Sequence, residues 1–440
     1  MKVYLKRLVF IMLFNVAAHA AWNPYGLMSF TRDHNELRFE QTYTTQPSYN
    51  WKGDYSLLGP GLDLALGASR PIAANWDFNV EASLGYSVAE SSLGVSAING
   101  LNGQVSMARN WVGSARVMPV YHKYGEIGGV LGLEAMNYKM SSNVSSFAST
   151  GNTSQLAGGF MTGIMMQSPV ADRWAIRMSW LETLFLKYEY DAIASYANDL
   201  SGGGQDQANI QHVSFKPTVD RFMASVVYYP YGQHKTPVIN SSHQHKNNYI
   251  IFSPVKDVSE VNESQDEEQI LKTFHLPLAV TGWGLEMTAG KRFNINDNLF
   301  FGVESFAHWL NSKEDNQGLH TDYRFQEKLE HDWDMGLVFA PGIHIGKGQN
   351  IVIQGGIARG AFTDRGPERL VQGEAIHKKA WGGVVGIRDE LTLNDHWRLT
   401  LGFKSIHFQT IQIQTGGSQS LNDLDDVSSG IYHLGLMYVW

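Results

Sequence analysis

Apolar and polar residues alternate along most of this chain with a period of two. At the C-terminal end Tyr432, Leu434, Leu436, Tyr438 and Trp440 share one face, while His433, Gly435, Met437 and Val439 share the other. Over residues 77–86 the apolar row is Phe78, Val80, Ala82, Leu84 and Tyr86. Trp397, Leu399, Leu401 and Phe403 form another, as do Trp333, Met335, Leu337, Phe339, Pro341 and Ile343. Such alternation predicts β-strands with one apolar face and one polar or small face. Tight connections fall at 71–75, 123–125, 170–173, 294–298, 346–350 and 394–396. Longer polar stretches lie between them, at 87–100, 139–155, 191–210, 310–331, 363–378 and 412–429. Short turns at one end, long loops at the other and aromatics bracketing an apolar row fit a lipid-embedded antiparallel barrel.

The pattern occurs twice, at an offset of about 223 residues. Residues 59–81 align without a gap onto 282–304, pairing Asp63 with Glu286 and Glu81 with Glu304. Trp111, Pro119 and His122 repeat as Trp333, Pro341 and His344. Gly158, Gly159 and Gly163 leading to Trp174 match Gly382, Gly383 and Gly386 leading to Trp397. Phe222, Ala224, Val226 and Tyr228 parallel Tyr432, Leu434, Leu436 and Tyr438. Matches spaced in this way mark an internal repeat. Each copy reads as about eight strands: residues 21–232, then a polar linker 233–247, then 248–440.

Each copy resembles the small eight-stranded outer-membrane proteins of the outer-membrane-protein-A and opacity type, through Gly-rich strands, Asn/Asp-x-Trp turns and alternating strands. The last strand resembles the C-terminal assembly signal of that class, carried by Tyr432, Leu434, Leu436, Tyr438 and Trp440. The resemblance implies a transmembrane antiparallel β-barrel, all-β, and the barrel-assembly machinery and outer-membrane lipid with lipopolysaccharide as partners. Two architectures follow: one barrel of about sixteen strands, or two tandem eight-stranded barrels. Only the second copy ends the chain, which favours one large barrel. The inward Gly67, Gly85, Gly290, Gly302, Gly386 and Gly402 suit narrow ones.

Residues 1–20 change the picture by adding an export signal. Lys2, Lys6 and Arg7 precede an apolar stretch, and Ala18-His19-Ala20 offers a small-x-small cleavage site. The expected location is therefore the outer membrane of a Gram-negative cell. No later run supplies the roughly 20 apolar residues of a membrane helix. Aromatics reach 12%, charged residues only 17%, and cysteine is absent. A chain without cysteine has neither disulfides nor thiolate chemistry. Without the leader's three cations, 31 of the 34 basic residues face 42 acidic ones, a balance of −11 that disfavours nucleic acid.

The inward charges are the candidate functional residues. By parity they are Asp63, Glu81, Arg116, Arg177 and Arg221, then Glu286, Arg292, Glu304, Arg388, Glu390, Arg398 and Lys404. In a wide barrel opposed rows of charge select permeants; in a narrow one they pair and plug the lumen. His122 and His344 read as a duplicated polar lumen residue near the short turns, and His243, His245 and Lys246 as solvated linker. Asp257 to Glu268 carries six carboxylates and Asn422 to Asp426 three more, both read as acidic loops able to share divalent cations with lipopolysaccharide. No Gly-x-Ser-x-Gly, phosphate-binding glycine loop or His-Glu-x-x-His is present, so neither an enzyme nor a cofactor is expected. The expectation is a sixteen-stranded, porin-like channel for small polar solutes. The alternative is a non-transporting surface barrel for adhesion or envelope stability.

Overall fold

A computed structural model describes residues 22–43, 51–97, 102–123, 125–144, 153–194, 209–232, 247–267, 272–314, 316–320, 323–345, 348–365, 375–414 and 420–440. Residues 1–20, read as an export signal, and the linker histidines His243 and His245 lie outside these residues. The first copy contains β1 (Asn23–Tyr43), β2 (Trp51–Ala73), β3 (Trp76–Ser87), β4 (Glu90–Ala97), β5 (Asn102–Tyr121), β6 (Glu126–Val144), β7 (Thr153–Ala171), β8 (Trp174–Phe185), β9 (Tyr188–Ala194) and β10 (Asn209–Tyr228). The second contains β11 (Asn248–Glu267), β12 (Lys272–Asn294), β13 (Leu299–Lys313), β14 (Asn316–His320), β15 (Tyr323–Ile345), β16 (Gln349–Arg365), β17 (Ile376–Thr392), β18 (Trp397–Phe408), β19 (Ile411–Gln414) and β20 (Ser420–Val439). No helix among the described residues is long and apolar enough to cross a membrane. Strands β4, β9, β14 and β19 continue the strands before them past short breaks, so each copy has eight staves.

Each copy closes on itself. In the first, every strand pairs antiparallel with its neighbour, and β10 returns to β1 with Gly26 opposite Tyr228 and Phe39 opposite Phe215. In the second, β20 returns to β11, with Tyr249 opposite Val439. The fold is therefore two tandem eight-stranded barrels rather than the favoured single barrel of sixteen. A signal at the chain end bears on how a barrel is recognised during assembly. Hydrogen bonding requires only that each edge strand find a partner, and β10 finds β1 before the linker begins. Strand β10 ends at Tyr228 and β11 starts at Asn248.

The outward rows carry an exposed apolar band, including Phe30, Leu64, Leu133, Leu285, Leu337 and Val385. At the turn end it is edged by Trp76, Trp174, Tyr228, Trp397 and Trp440, and at the loop end by Tyr86, Trp111, Trp283, Trp309, Trp333 and Trp381. On β5, Trp111 and Tyr121 stand at opposite edges of this band, ten residues apart. Ten residues at ~3.3 Å each, tilted as barrel strands are, span about 25 Å, the height of a lipid-facing band.

One outward sector is covered instead of exposed. Tyr432, Phe222, His34, Leu401 and Phe403 belong to outward rows yet are buried, because the barrels pack against each other there. Phe222 stacks on Phe403 at 5.6 Å between ring centres, and Trp180 on Tyr432 at 5.6 Å. Polar groups sit inside this contact. Lys256 Nζ lies 2.8 Å from Asp220 Oδ2 and 2.7 Å from Glu182 Oε1, and His34 Nδ1 lies 2.6 Å from Tyr432 Oη. At the loop end the backbones join: Lys272 to His275 of β12 pair with Gly94 to Ala97 of β4, and Gln317 and Gly318 of β14 with Trp51 and Lys52 of β2.

Two outcomes test this architecture. The chain has no native cysteine, so engineered pairs read out cleanly. Phe30→Cys with Ala224→Cys, outward partners across β1 and β10, should form a disulfide, whereas Phe30→Cys with Leu436→Cys should not. Lys256→Met should lower the urea unfolding midpoint by an amount equivalent to about 3–5 kcal/mol by stranding Asp220 between the barrels, with Asp220→Asn in the same chain recovering most of it.

Candidate functional site: the two lumens

Alternation fixes which side chains enter each lumen. An eight-stave barrel leaves an interior that side chains fill. Of the twelve charges read as inward, every one except Arg398 is at most 5% exposed. A charge taken out of water must be paired, because an unpartnered one costs several kcal/mol. Both lumens meet that requirement by layered ion pairs.

In the first barrel Arg177 binds Glu81, and Tyr25 Oη donates to Glu81 Oε1 at 2.9 Å. Arg116 Nη2 donates to Asp63 Oδ1 at 3.1 Å. Nearer the loop end, Arg221 donates to both Glu134 oxygens at 2.8 and 2.9 Å and through Nε to Asp33 Oδ1 at 2.7 Å. Arg109 Nη1 completes this layer 3.2 Å from Asp33 Oδ2.

The second barrel keeps acidic residues at three positions, Asp257, Glu286 and Glu304, and changes the rest: Glu134 has Ala358 as its counterpart, Glu390 stands at the place of Gln167 and Asp334 at that of Val112. Tyr249 Oη donates to Glu304 Oε1 at 2.6 Å, as Tyr25 does to Glu81. Gly67 and Gly290 lie under these tyrosine rings, where an added Cβ would come within 2.6 and 2.5 Å of ring carbon. Here Arg388, from β17, grips Glu304 at 2.6 and 3.1 Å and reaches Glu390 Oε1 at 3.0 Å. Arg292 and Arg398 also bind Glu390. Lys404 Nζ lies 2.6 Å from Glu286 Oε1, whose other oxygen is 3.2 Å from His308 Nε2. From His308 the chain runs to Asp334, then His331 at 2.8 Å, then Asp257 at 2.9 Å, which also accepts from Ser429 Oγ at 2.7 Å.

The registers define the exchange. Asp33 and Asp257, Asp63 and Glu286, and Glu81 and Glu304 are equivalent pairs. Arg109 corresponds to His331, Arg177 to Thr400, and Leu181 to Lys404.

Several members of these networks escaped the sequence reading, for two reasons. Asp33 and Asp257 belong to strands that begin earlier or run further than their pattern suggests. The acidic run from Asp257 is strand β11 through Glu267, not a loop, and Asn422 to Asp426 likewise lies in β20. Arg109 and His331 are hidden by register shifts, between Arg109 and Val112 and between His331 and Trp333. Each shift inserts a residue and reverses the parity beyond it, turning a nominally outward side chain into the lumen. Glu134, His308 and Asp334 follow simple parity and were legible from it, as was His433, whose Nδ1 lies 3.9 Å from Glu286 Oε2.

His122 and His344 sit at the turn ends of different barrels. His122 Nε2 is 3.6 Å from Asp77 Oδ1, and His344 Nδ1 is 2.7 Å from Asn350 Oδ1. Among the described residues no cluster of His, Asp and Glu is arranged to hold a metal ion. The assembly-signal residues divide. Leu436 and Trp440 are exposed in the outward band, whereas Tyr432 is buried between the barrels.

No protein-family model and no curated protein matches the chain. Solved structures show likeness of fold. The attachment invasion locus protein Ail of Yersinia pestis, seen in complex with a heparin analogue, is 12% identical over 44% of this chain and 99% of its own, with a TM-score of 0.26. The outer membrane protein OprG of Pseudomonas aeruginosa is 18% identical over 44% of this chain and 96% of its own, with a TM-score of 0.34. A Pseudomonas aeruginosa FadL homologue is 8% identical over 94% of this chain and 90% of its own, with a TM-score of 0.28. At these scores the assignment rests on the strand pairing above.

The lumen chemistry predicts a compensating pair. Lys404→Leu, which installs the residue found at the equivalent Leu181, should destabilise the protein by about 3–5 kcal/mol because Glu286 loses its nearest cation. Adding Glu286→Gln should recover most of that loss, read as the urea midpoint of tryptophan fluorescence in detergent.

Proposed function

We propose that this is an outer-membrane protein whose two barrels are closed to solutes, acting as a paired, non-catalytic surface scaffold in adhesion or envelope stability. The observation that carries this reading is the filling of both lumens by buried, mutually paired charges. Passive diffusion of small polar solutes needs a hydrated path, and an eight-stave interior occupied by arginine–carboxylate layers leaves no room for one. The porin-like reading therefore ranks second.

The strands above the loop-end aromatic edge support a display role. Strand β5 begins nine residues before Trp111, and β15 ten residues before Trp333. At ~3.3 Å per residue these extensions rise roughly 20–30 Å beyond the apolar band. There β4 and β12, and β14 and β2, join the two barrels into one wall of strand. The proposal includes export with cleavage after Ala20, and recognition of Tyr432, Leu434, Leu436, Tyr438 and Trp440 by the barrel-assembly machinery.

Planar-bilayer recording on the purified full chain tests the reading. The bilayer should remain closed apart from rare transients. A stable conductance on the order of a general porin's would reject the closed-barrel function and restore the channel.

A further inference from the structure

The second barrel carries a set of outward cations that the lumen and the interface leave unexplained. Arg359 projects from β16 with its guanidinium carbon 5.6 Å from the Trp381 ring centre. Lys379, on β17, holds its ammonium 5.6 Å from the Trp333 ring centre. Arg359 is the cross-strand partner of Trp381 and Lys379 that of Ala361, so the two cations are diagonal neighbours. Both are exposed, and neither forms an ion pair among the described residues. Just beyond them, Lys313 and Arg365 flank Glu330 at 3.5 Å each. Nearby, Asp332 accepts from Thr363 Oγ1 at 2.6 Å. Among the described residues, Arg359, Lys379, Lys313 and Arg365 thus stand beside Glu330 and Asp332, both already engaged, on a chain whose net charge is −8.

Position gives this patch its meaning. Trp309, Trp333 and Trp381 form the loop-end aromatic edge of the apolar band, with Trp309 and Trp381 more than half exposed. Aromatic rings at such an edge lie at the level of lipid headgroups. Cations perched on those rings are held at that height, above the acyl chains and below the extended wall. The first barrel has no counterpart. Through the equivalence of Trp111 with Trp333, and of Gly132 with Gly356, the places of Arg359 and Lys379 are taken by Ala135 and the exposed Leu156.

We propose that Arg359 and Lys379, seated on Trp381 and Trp333, form a binding site for the phosphate-bearing headgroup of an outer-leaflet lipid. The tryptophan faces pack against the lipid's upper acyl carbons while the two cations bind its phosphate oxygens, Arg359 as a planar fork and Lys379 as a point charge. Lys313 and Arg365 add longer-range attraction. The site rests on the membrane reading above, but not on whether the lumens conduct, so the two proposals fail separately.

Native mass spectrometry of the full chain in detergent micelles, titrated with phosphatidic acid, tests the site. The first phosphatidic acid should bind more tightly than phosphatidylcholine. Arg359→Gln and Lys379→Gln should each weaken it about fivefold, as expected for one cation at a membrane surface. Arg359→Lys should retain part of the affinity, and Lys291→Gln, at the turn-end edge of the same barrel, should leave it unchanged. Equal binding of phosphatidylcholine, or undiminished binding by the double glutamine variant, would overturn the site. Displacement of the lipid by an equal concentration of inorganic phosphate would show a free-anion site instead, and also overturn it. Heat-modifiable migration on gels reports that each variant is folded.

Discussion

A peptide group that faces hydrocarbon has no water to turn to, so a strand in the apolar band must be hydrogen-bonded on both edges. This chain meets the constraint twice. Strand β10 returns to β1 and β20 to β11, and once those ladders form no edge remains open within the band. Closure at eight staves then sets the interior width, and the width decides what inward side chains can do. They cannot line a water column; they must meet one another. The layers around Glu81, Glu134, Glu286 and Glu304 follow from that geometry, since each of these four carboxylates lies within reach of a cation from another strand of its barrel.

The two copies show how this requirement tolerates change. Three acidic residues stay at equivalent positions, as do the tyrosines that donate to Glu81 and Glu304, while Glu134 gives way to Ala358. The compensating cations come from other strands. Arg177 in β8 has Thr400 as its counterpart, and the grip on Glu304 passes to Arg388 in β17. A lumen has no direction from which a charge must come. Any inward position at the right height can supply it, so cations, and some carboxylates with them, can move while the pairing is kept. The largest difference lies near the loop end, where Arg109 and Arg221 in one barrel give way to His308, His331 and Lys404 in the other.

The contact between the barrels uses outward positions that resemble lipid-facing ones in pattern. Tyr432, Phe222 and Phe403 supply aromatic surface, while Lys256, Asp220, His34 and Glu182 place polar groups where lipid contact would be costly. Such groups persist because the facing barrel satisfies them. The same loss of lipid contact explains why the terminal row is split, with Tyr432 covered and Leu436 open to the membrane.

Much of this was readable from residue order alone. The period-two rows, the duplication, the turn and loop ends and the inward reading of the twelve candidate charges follow from alternation, because a strand sends successive side chains to opposite faces wherever it sits. Alternation is a local property, and what it missed was non-local. Strand partnership decides between one ring of sixteen and two of eight, and it depends on which edges meet, not on either strand's own sequence. A single inserted residue at Arg109 or His331 reverses parity, and only the ladder shows where the insertion falls. Burial of Tyr432 and His34 depends on a second barrel that their own strands do not encode. The sequence by itself determined the faces; the tertiary structure decided what each face meets, since closure and packing are set by contacts between segments far apart in the chain.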